Sequence, residues 1–168
     1  AIGMSPFMTN LVAGLVVIIV NIQLKKYGGD LAIGAYGIIN SIAFTFVMII
    51  LGLTQGMQPI IGYNYGAKLQ HRVLSTLKKG MIAGFVITTI GFLVAELCPR
   101  LIASAFTNDE EMINLSITGF RLFMLAFPIV GMQIVASNFF QAIGKAKIAI
   151  FLSLTRQLLF LIPALYLI

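Results

Sequence analysis

The chain has 168 residues, 60% of them hydrophobic and only 10% charged, with a mean hydropathy of +1.03. A soluble domain carries roughly a quarter charged residues, so this composition excludes a solvated globular surface and makes the bilayer the solvent. The net charge of +6 lies between apolar segments, not in a stripe interleaved with aromatics, which argues against nucleic acid as a partner and for positive-inside topology.

The first expected span, 6–24, matches the ~20 residues a helix needs to cross the hydrocarbon core, and Asn10 and Asn21 interrupt it. Pro6 suits a first helical turn. Lys25-Lys26-Tyr27-Gly28-Gly29-Asp30 closes the span as a short turn, which predicts an antiparallel return.

The second expected span, 31–65, contains Asn40 and is longer than a bilayer requires. Its far end is the most informative stretch of the chain. Gly52, Gly56, Pro59, Gly62 and Gly66 interrupt an apolar run in which the amides Gln55, Gln58 and Asn64 are interleaved. Pro59 removes one backbone donor and crowds the preceding turn, so a kink is expected there. Two readings stand side by side. Small residues let neighbouring helices approach while amides bond across the interface, or the stretch is a hinged helix end beside a polar cavity, as in the broken helices of transporters.

The following loop holds Lys68, His71, Arg72, Lys78 and Lys79 without an acid. The third expected span, 77–97, carries Gly80, Gly84 and Gly91, ends at Glu96 and is stopped by Pro99. Residues 100–106 are too few to cross and are expected as an interfacial turn. Thr107-Asn108-Asp109-Glu110 has the form of a capping box with Thr107 as N-cap. It opens a fourth span, 108–142, with a kink expected at Pro128 and Gly131 and with Gln133, Asn138 and Gln141 among its amides. Gly144 and Lys145 then repeat the theme of amides and glycine before lysine. The last span, 146–168, contains Arg156 and Pro163.

Loop charges set an orientation. Lys68, Arg72, Lys78, Lys79, Lys145 and Lys147 lie on one side, whereas Lys25, Lys26 and Arg100 on the other are diluted by Asp30, Asp109, Glu110 and Glu111. The positive-inside rule makes the first side cytoplasmic, and with it the amino end. The chain begins at Ala1 without the basic flank of a signal peptide and stops at Ile168 inside an apolar run, so a piece of a longer membrane protein is expected.

No enzyme constellation is present. His71 is alone in a basic loop, no serine sits in a nucleophile elbow, and no phosphate-binding Gly-Lys-Ser/Thr run occurs. One cysteine, Cys98, and one histidine build neither a disulfide framework nor a Cys/His metal site within one copy, and no cofactor is expected. Ionisable residues inside spans are functional candidates because of their cost. Glu96 and Arg121 lie near outer helix ends, where snorkelling is cheap; Arg156 reads as an interfacial anchor or a gate element. Thirteen phenylalanines, five tyrosines and eight methionines suit an apolar cavity for a cationic or amphipathic substrate, and equally an ordinary lipid-facing surface.

The residues carry a resemblance. Asn21, Leu24 and Tyr27-Gly28-Gly29-Asp30, then Ala35-Tyr36-Gly37-Ile38, then Gln55-Gly56-Met57-Gln58-Pro59-Ile60-Ile61-Gly62-Tyr63-Asn64-Tyr65-Gly66-Ala67-Lys68 with Arg72-Val73 resemble the carboxy-terminal lobe of the multidrug and toxin extrusion (MATE) transporters. Gln141-Ala142-Ile143-Gly144-Lys145 and Ser153-Leu154-Thr155-Arg156-Gln157 with Pro163 extend the likeness to the end. It implies an all-α integral membrane protein, an antiparallel transmembrane helix bundle supplying about five spans of a twelve-helix, two-lobe transporter. The activity implied is secondary antiport across the bacterial inner membrane: organic cations and drugs leave in exchange for Na+ or H+ by alternating access. The implied partners are the amino-terminal lobe of the same polypeptide, membrane lipid and small organic cations. The first, second, fourth and fifth spans hold no Asp or Glu in their interiors, so the coupling carboxylate is expected outside this piece, or else Glu96 lies close to the cavity, and no ion ligand is assigned. The cavity candidates are the amides Asn10, Asn21, Asn40, Gln55, Gln133 and Asn138. Family-motif and hinge candidates are Gly56, Gln58, Pro59, Gly62, Asn64, Gly66, Arg72, Pro128, Gln141, Gly144 and Arg156. The alternatives are a lipid-linked saccharide flippase of the same superfamily, whose cavity would need more basic residues, and a non-transporting membrane scaffold.

Overall fold

The computed structural model describes residues 4–155, and every regular element among them is a helix. In order these are α1 (Met4–Gly66), α2 (Gln70–Leu97), α3 (Pro99–Ser104), α4 (Glu110–Met124), α5 (Phe127–Ala142) and α6 (Ala146–Thr155). Arg156 and Pro163 lie outside the described residues.

The turn expected over 25–30 is reduced to one residue. Gly29 has φ 65° and ψ −161°, a region open to glycine and closed to side chains, and helix resumes immediately after it. Gly28–Gly66 and α2 are each long and apolar enough to cross a membrane; α4 and α5, bent by 52°, meet that test as a pair.

The two inner prolines behave differently. Pro128 falls in the first turn of α5, and α4 stops at Met124, the residue whose carbonyl the missing Pro128 N–H would have met. Around Pro59, by contrast, α1 stays helical, with Gly29 as its one non-helical residue. α1 therefore has no break at Pro59 of the kind that separates α4 from α5 before Pro128. Gly131 lies inside α5, away from the bend.

Two apolar clusters align the helices. Ile38, Ile39 and Ala43 of α1 meet Ala95 of α2, Phe120 and Met124 of α4 and Phe127. Ile50, Met57 and Ile61 of α1 meet Val73 of α2 and Val130, Ile134, Val135 and Phe139 of α5. Early α1 residues thus pair with late α2 residues and the reverse, so α1 beyond Gly29, α2 and the α4–α5 pair run up and down alternately as an antiparallel bundle. Phe46 stands edge-on to Phe127 between the clusters, with ring centroids 6.3 Å apart.

Helix ends correct three expectations. The N-cap of α4 is Asp109, whose carboxylate accepts from the Glu111 and Met112 amides; the Thr107 hydroxyl accepts from the Asp109 amide instead. Glu110, left free of the capping box, accepts from Arg100 Nη2 at both carboxylate oxygens, each at 2.9 Å. Residues 99–104 form α3, with Pro99 at the first turn, where its missing donor is harmless. Finally α2 starts at Gln70, ahead of the expected span 77–97, so His71 and Arg72 ride on its first turn.

α1 ends in a Schellman motif: Leu69 N–H donates to Asn64 O at 2.9 Å and Lys68 N–H to Tyr65 O at 3.1 Å, with Lys68 left-handed at φ 57°. α5 ends in the same way, Lys145 N–H to Phe140 O at 2.8 Å and Gly144 N–H to Gln141 O at 3.1 Å, with Gly144 at φ 78°. Gly144 is the glycine such a stop needs. Gly66 is not, since the helix runs through it and Lys68 takes the left-handed position.

Candidate functional site

Most of the candidate residues fall into two groups, one on α1 and one on α5. The first lies along the outside of α1. Gly37, Asn40, Ser41, Gly52, Gln55, Gly56, Pro59 and Gly62 are all exposed and recur at helical spacing, so they share one face. Nothing lies within 4 Å of where a Cβ would stand on Gly37, Gly52, Gly56, Gly62 or Gly66. The residues expected to admit a neighbouring helix face no described helix. Asn40 and Gln55 stand on this face about 22 Å apart at 1.5 Å per residue. Gln58 is half-buried at its edge, and Asn64 is turned inward.

The close approach that glycines permit occurs elsewhere, where α2 crosses α5. A Cβ on Gly84 would come within 3.0 Å of the Gly131 carbonyl oxygen, and one on Gly131 would strike the Gly84 carbonyl and the Thr88 side chain. Gly80 is filled over by Met57 and Val135 in the same way. Thr88 is fully buried at this crossing; its hydroxyl donates back to Gly84 O at 2.8 Å and lies 3.3 Å from Pro128 O. Such back-bonding satisfies a hydroxyl in an apolar setting without a ligand.

The second polar group is the seam between α5 and α6. Gln133 Nε2 donates to Leu152 O at 2.8 Å, Ser137 Oγ donates to Ala149 O at 3.0 Å, and Ser137 and Ser153 hydroxyls lie 2.8 Å apart. Gln133 and Ser137 are four residues apart, on one stripe of α5. Asn138 turns back onto its own helix, donating to Ile134 O at 2.9 Å, and Gln141 is half-buried at the end of α5. Three buried oxygens have no partner among the described residues: Asn64 Oδ1, Thr89 Oγ1 and Gln133 Oε1. As amide acceptors, Asn64 and Gln133 suit an N–H, a hydroxyl or a cation. Asn64 is pinned through its Nδ2, which donates to Ile60 O at 2.8 Å.

Of the remaining candidates, Asn21 is half-buried and Asn10 lies on the part of α1 before Gly29. Arg72 is exposed at the start of α2, and Gly144 caps α5. Glu96 and Arg121 face each other at 3.7 Å, a pair that neither helix's own pattern announces because it joins α2 to α4. Ser137 and Thr88 were not singled out from the sequence. The Gln133–Ser137–Gln141 spacing of i, i+4, i+8 was the signal available for the first.

The MatE family model matches residues 6–167. Multidrug export protein MepA of Staphylococcus haemolyticus (strain JCSC1435) is 26% identical over 165 residues, covering 98% of this chain and 36% of the relative. The MepA proteins of Staphylococcus aureus (strain MSSA476) and Staphylococcus saprophyticus subsp. saprophyticus are 24% and 22% identical over the same length and coverage. The chain thus spans 36% of the length of these curated relatives. No solved structure matches it.

Proposed function

This chain belongs to the MatE family, so we propose that it forms five helical spans of a multidrug efflux antiporter, 6–24, 31–65, 77–97, 108–142 and 146–168. The observation that carries the reading is the open face of α1, where glycines, Pro59 and the amides Asn40 and Gln55 stand without a described neighbour. We assign that face to the cleft between this lobe and an amino-terminal lobe supplied by the rest of a longer polypeptide. Asn40 and Gln55 would line the path of an organic cation, with the half-buried Gln133 and Asn138 and the exposed-edge Asn21 as further cavity candidates. The relatives' name, multidrug export protein, supports export of more than one drug.

Alternating access supplies the mechanism. The α2–α5 crossing and the two apolar clusters make the bundle a rigid body, and the open face is the surface that changes neighbours as lobes rock. The coupling ion, Na+ or H+, is assigned to a carboxylate outside this chain. Among the described residues the acid set within a helix end, Glu96, is already opposite Arg121. The end carrying Lys68, Arg72, Lys78, Lys79, Lys145 and Lys147 is assigned to the cytoplasm of a bacterial cell.

The test is efflux of a fluorescent organic cation from cells expressing the full-length protein, with the Na+ and H+ gradients collapsed separately. Efflux is expected to stop when one of the two is removed, which names the ion. A well-inserted protein that exports nothing under either gradient would turn the reading toward a lipid-linked saccharide flippase or a scaffold.

A further inference from the structure

Beside the α2–α5 crossing, on the outer side of α2, runs a groove of about 580 Å³ walled by Leu77, Met81 and Phe85 of α2 and Met132 of α5. Its walls are apolar apart from one cationic side chain, Lys78. We propose that this groove holds an anionic glycerophospholipid, one acyl chain along the apolar walls and the phosphate on the Lys78 ammonium.

Three observations choose that occupant. First, Leu74, Ile82 and Phe85 at the groove are 61%, 54% and 44% exposed on a helix long and apolar enough to cross a membrane, so the groove opens where hydrocarbon would be. Second, Lys78 stands eight residues into α2, about 12 Å along its axis from Gln70, within reach of an interface by extension of its stem. Third, the charge there is uncompensated. No Asp or Glu occurs between Asp30 and Glu96, whereas Lys68, Arg72 and Lys79 add to Lys78, and no ion pair reaches Lys78 among the described residues. A zwitterionic headgroup would bring its own cation into this field. A phosphatidylglycerol headgroup brings net negative charge, and one such lysine contact near a membrane surface favours it by roughly fivefold. An open apolar groove with a single basic side chain in its wall thus matches an anionic lipid better than a hydrophobic drug or a peptide.

The experiment places a reporter on the groove rim. Ile82→Trp is introduced into the full-length protein, which is reconstituted in phosphatidylcholine vesicles containing increasing fractions of acyl-brominated phosphatidylglycerol or acyl-brominated phosphatidylcholine. Quenching of the added indole fluorescence, taken as the difference from the protein that keeps Ile82, reports lipid in the groove. Half-maximal quenching is expected at a roughly fivefold lower fraction of phosphatidylglycerol. Lys78→Gln should abolish that preference, and Lys78→Arg should keep it, which separates the contact from a folding defect. Equal quenching by both lipids with Lys78 intact would reduce the groove to ordinary annular surface. Absence of quenching by either would mean that the rest of the polypeptide covers it. Either result overturns the proposal, and because transport is not measured, neither bears on the efflux reading.

Discussion

At Gly131 one hydrogen atom separates two helices. A Cβ in its place would meet the Gly84 carbonyl and Thr88, both of them rigid parts of α2. Gly131→Val is therefore expected to destabilise the full-length protein by about 2 kcal/mol, the usual penalty of overpacking a close-packed contact. Gly56 provides the contrast, because nothing lies within 4 Å of its would-be Cβ. Gly56→Ala should leave thermal unfolding in detergent unchanged or slightly raised, since alanine favours a helix interior by roughly 1 kcal/mol over glycine. Equal melting of the two variants would remove the distinction drawn between packed and open glycines. Lys68 presents the opposite case, a long side chain at the left-handed stop of α1 where α5 uses Gly144. Lys68→Gly should raise stability by roughly 0.5–1 kcal/mol, the left-handed strain relieved less the entropy glycine adds to the unfolded chain. A lower melting temperature in that variant would show that the Lys68 side chain matters more than its backbone.

At the scale of the element, one residue separates the two parts of α1. Gly29 occupies a region that costs a residue with a Cβ on the order of 1–3 kcal/mol. Gly29→Ala should therefore lower the yield of inserted protein and its melting temperature together, read by fluorescence-detected size exclusion after heating. An unchanged profile would mean that the break tolerates ordinary backbone. The α4–α5 bend of 52° has a different origin, since Pro128 denies Met124 O its helical donor and the chain turns before the proline, in the two residues between the helices. Pro59 lacks the same donor, yet α1 continues around it. Pro59 is exposed on the open face, where the Gln55 carbonyl is not forced between packed neighbours.

For the molecule as a whole, the contrast between a packed side and an open side carries the functional reading. One side of α1 supplies Ile38, Ile50, Met57 and Ile61 to the core, and the other presents Asn40 and Gln55 among small residues and the exposed Phe44, Met48 and Tyr63. Replacing both amides with leucine should not harm folding, because neither makes a described contact across helices. It should reduce drug efflux by roughly tenfold, as expected for losing one or two hydrogen bonds of about 1 kcal/mol each. Resistance assays at matched surface expression decide this. Retained efflux would place the substrate path elsewhere, with the α5–α6 seam of Gln133, Ser137 and Ser153 next in line.

Composition and hydropathic runs were enough to identify a helical membrane bundle, because a chain this apolar must satisfy its backbone internally and helices do so segment by segment. The residues around Gln55 to Lys68 likewise sufficed for the family resemblance. Which glycines are packed was not legible there. Gly52, Gly56 and Gly84 look alike along the chain, and what separates them is the helix opposite, a property of tertiary contact and not of local pattern. The same holds for Glu96 opposite Arg121, for Ser137 bonded across to α6, and for Lys78 in the wall of an apolar groove. Hydrophobic periodicity shows that a helix has an apolar face, whereas the partner of each polar side chain depends on which segments, distant in sequence, the collapsed bundle brings together.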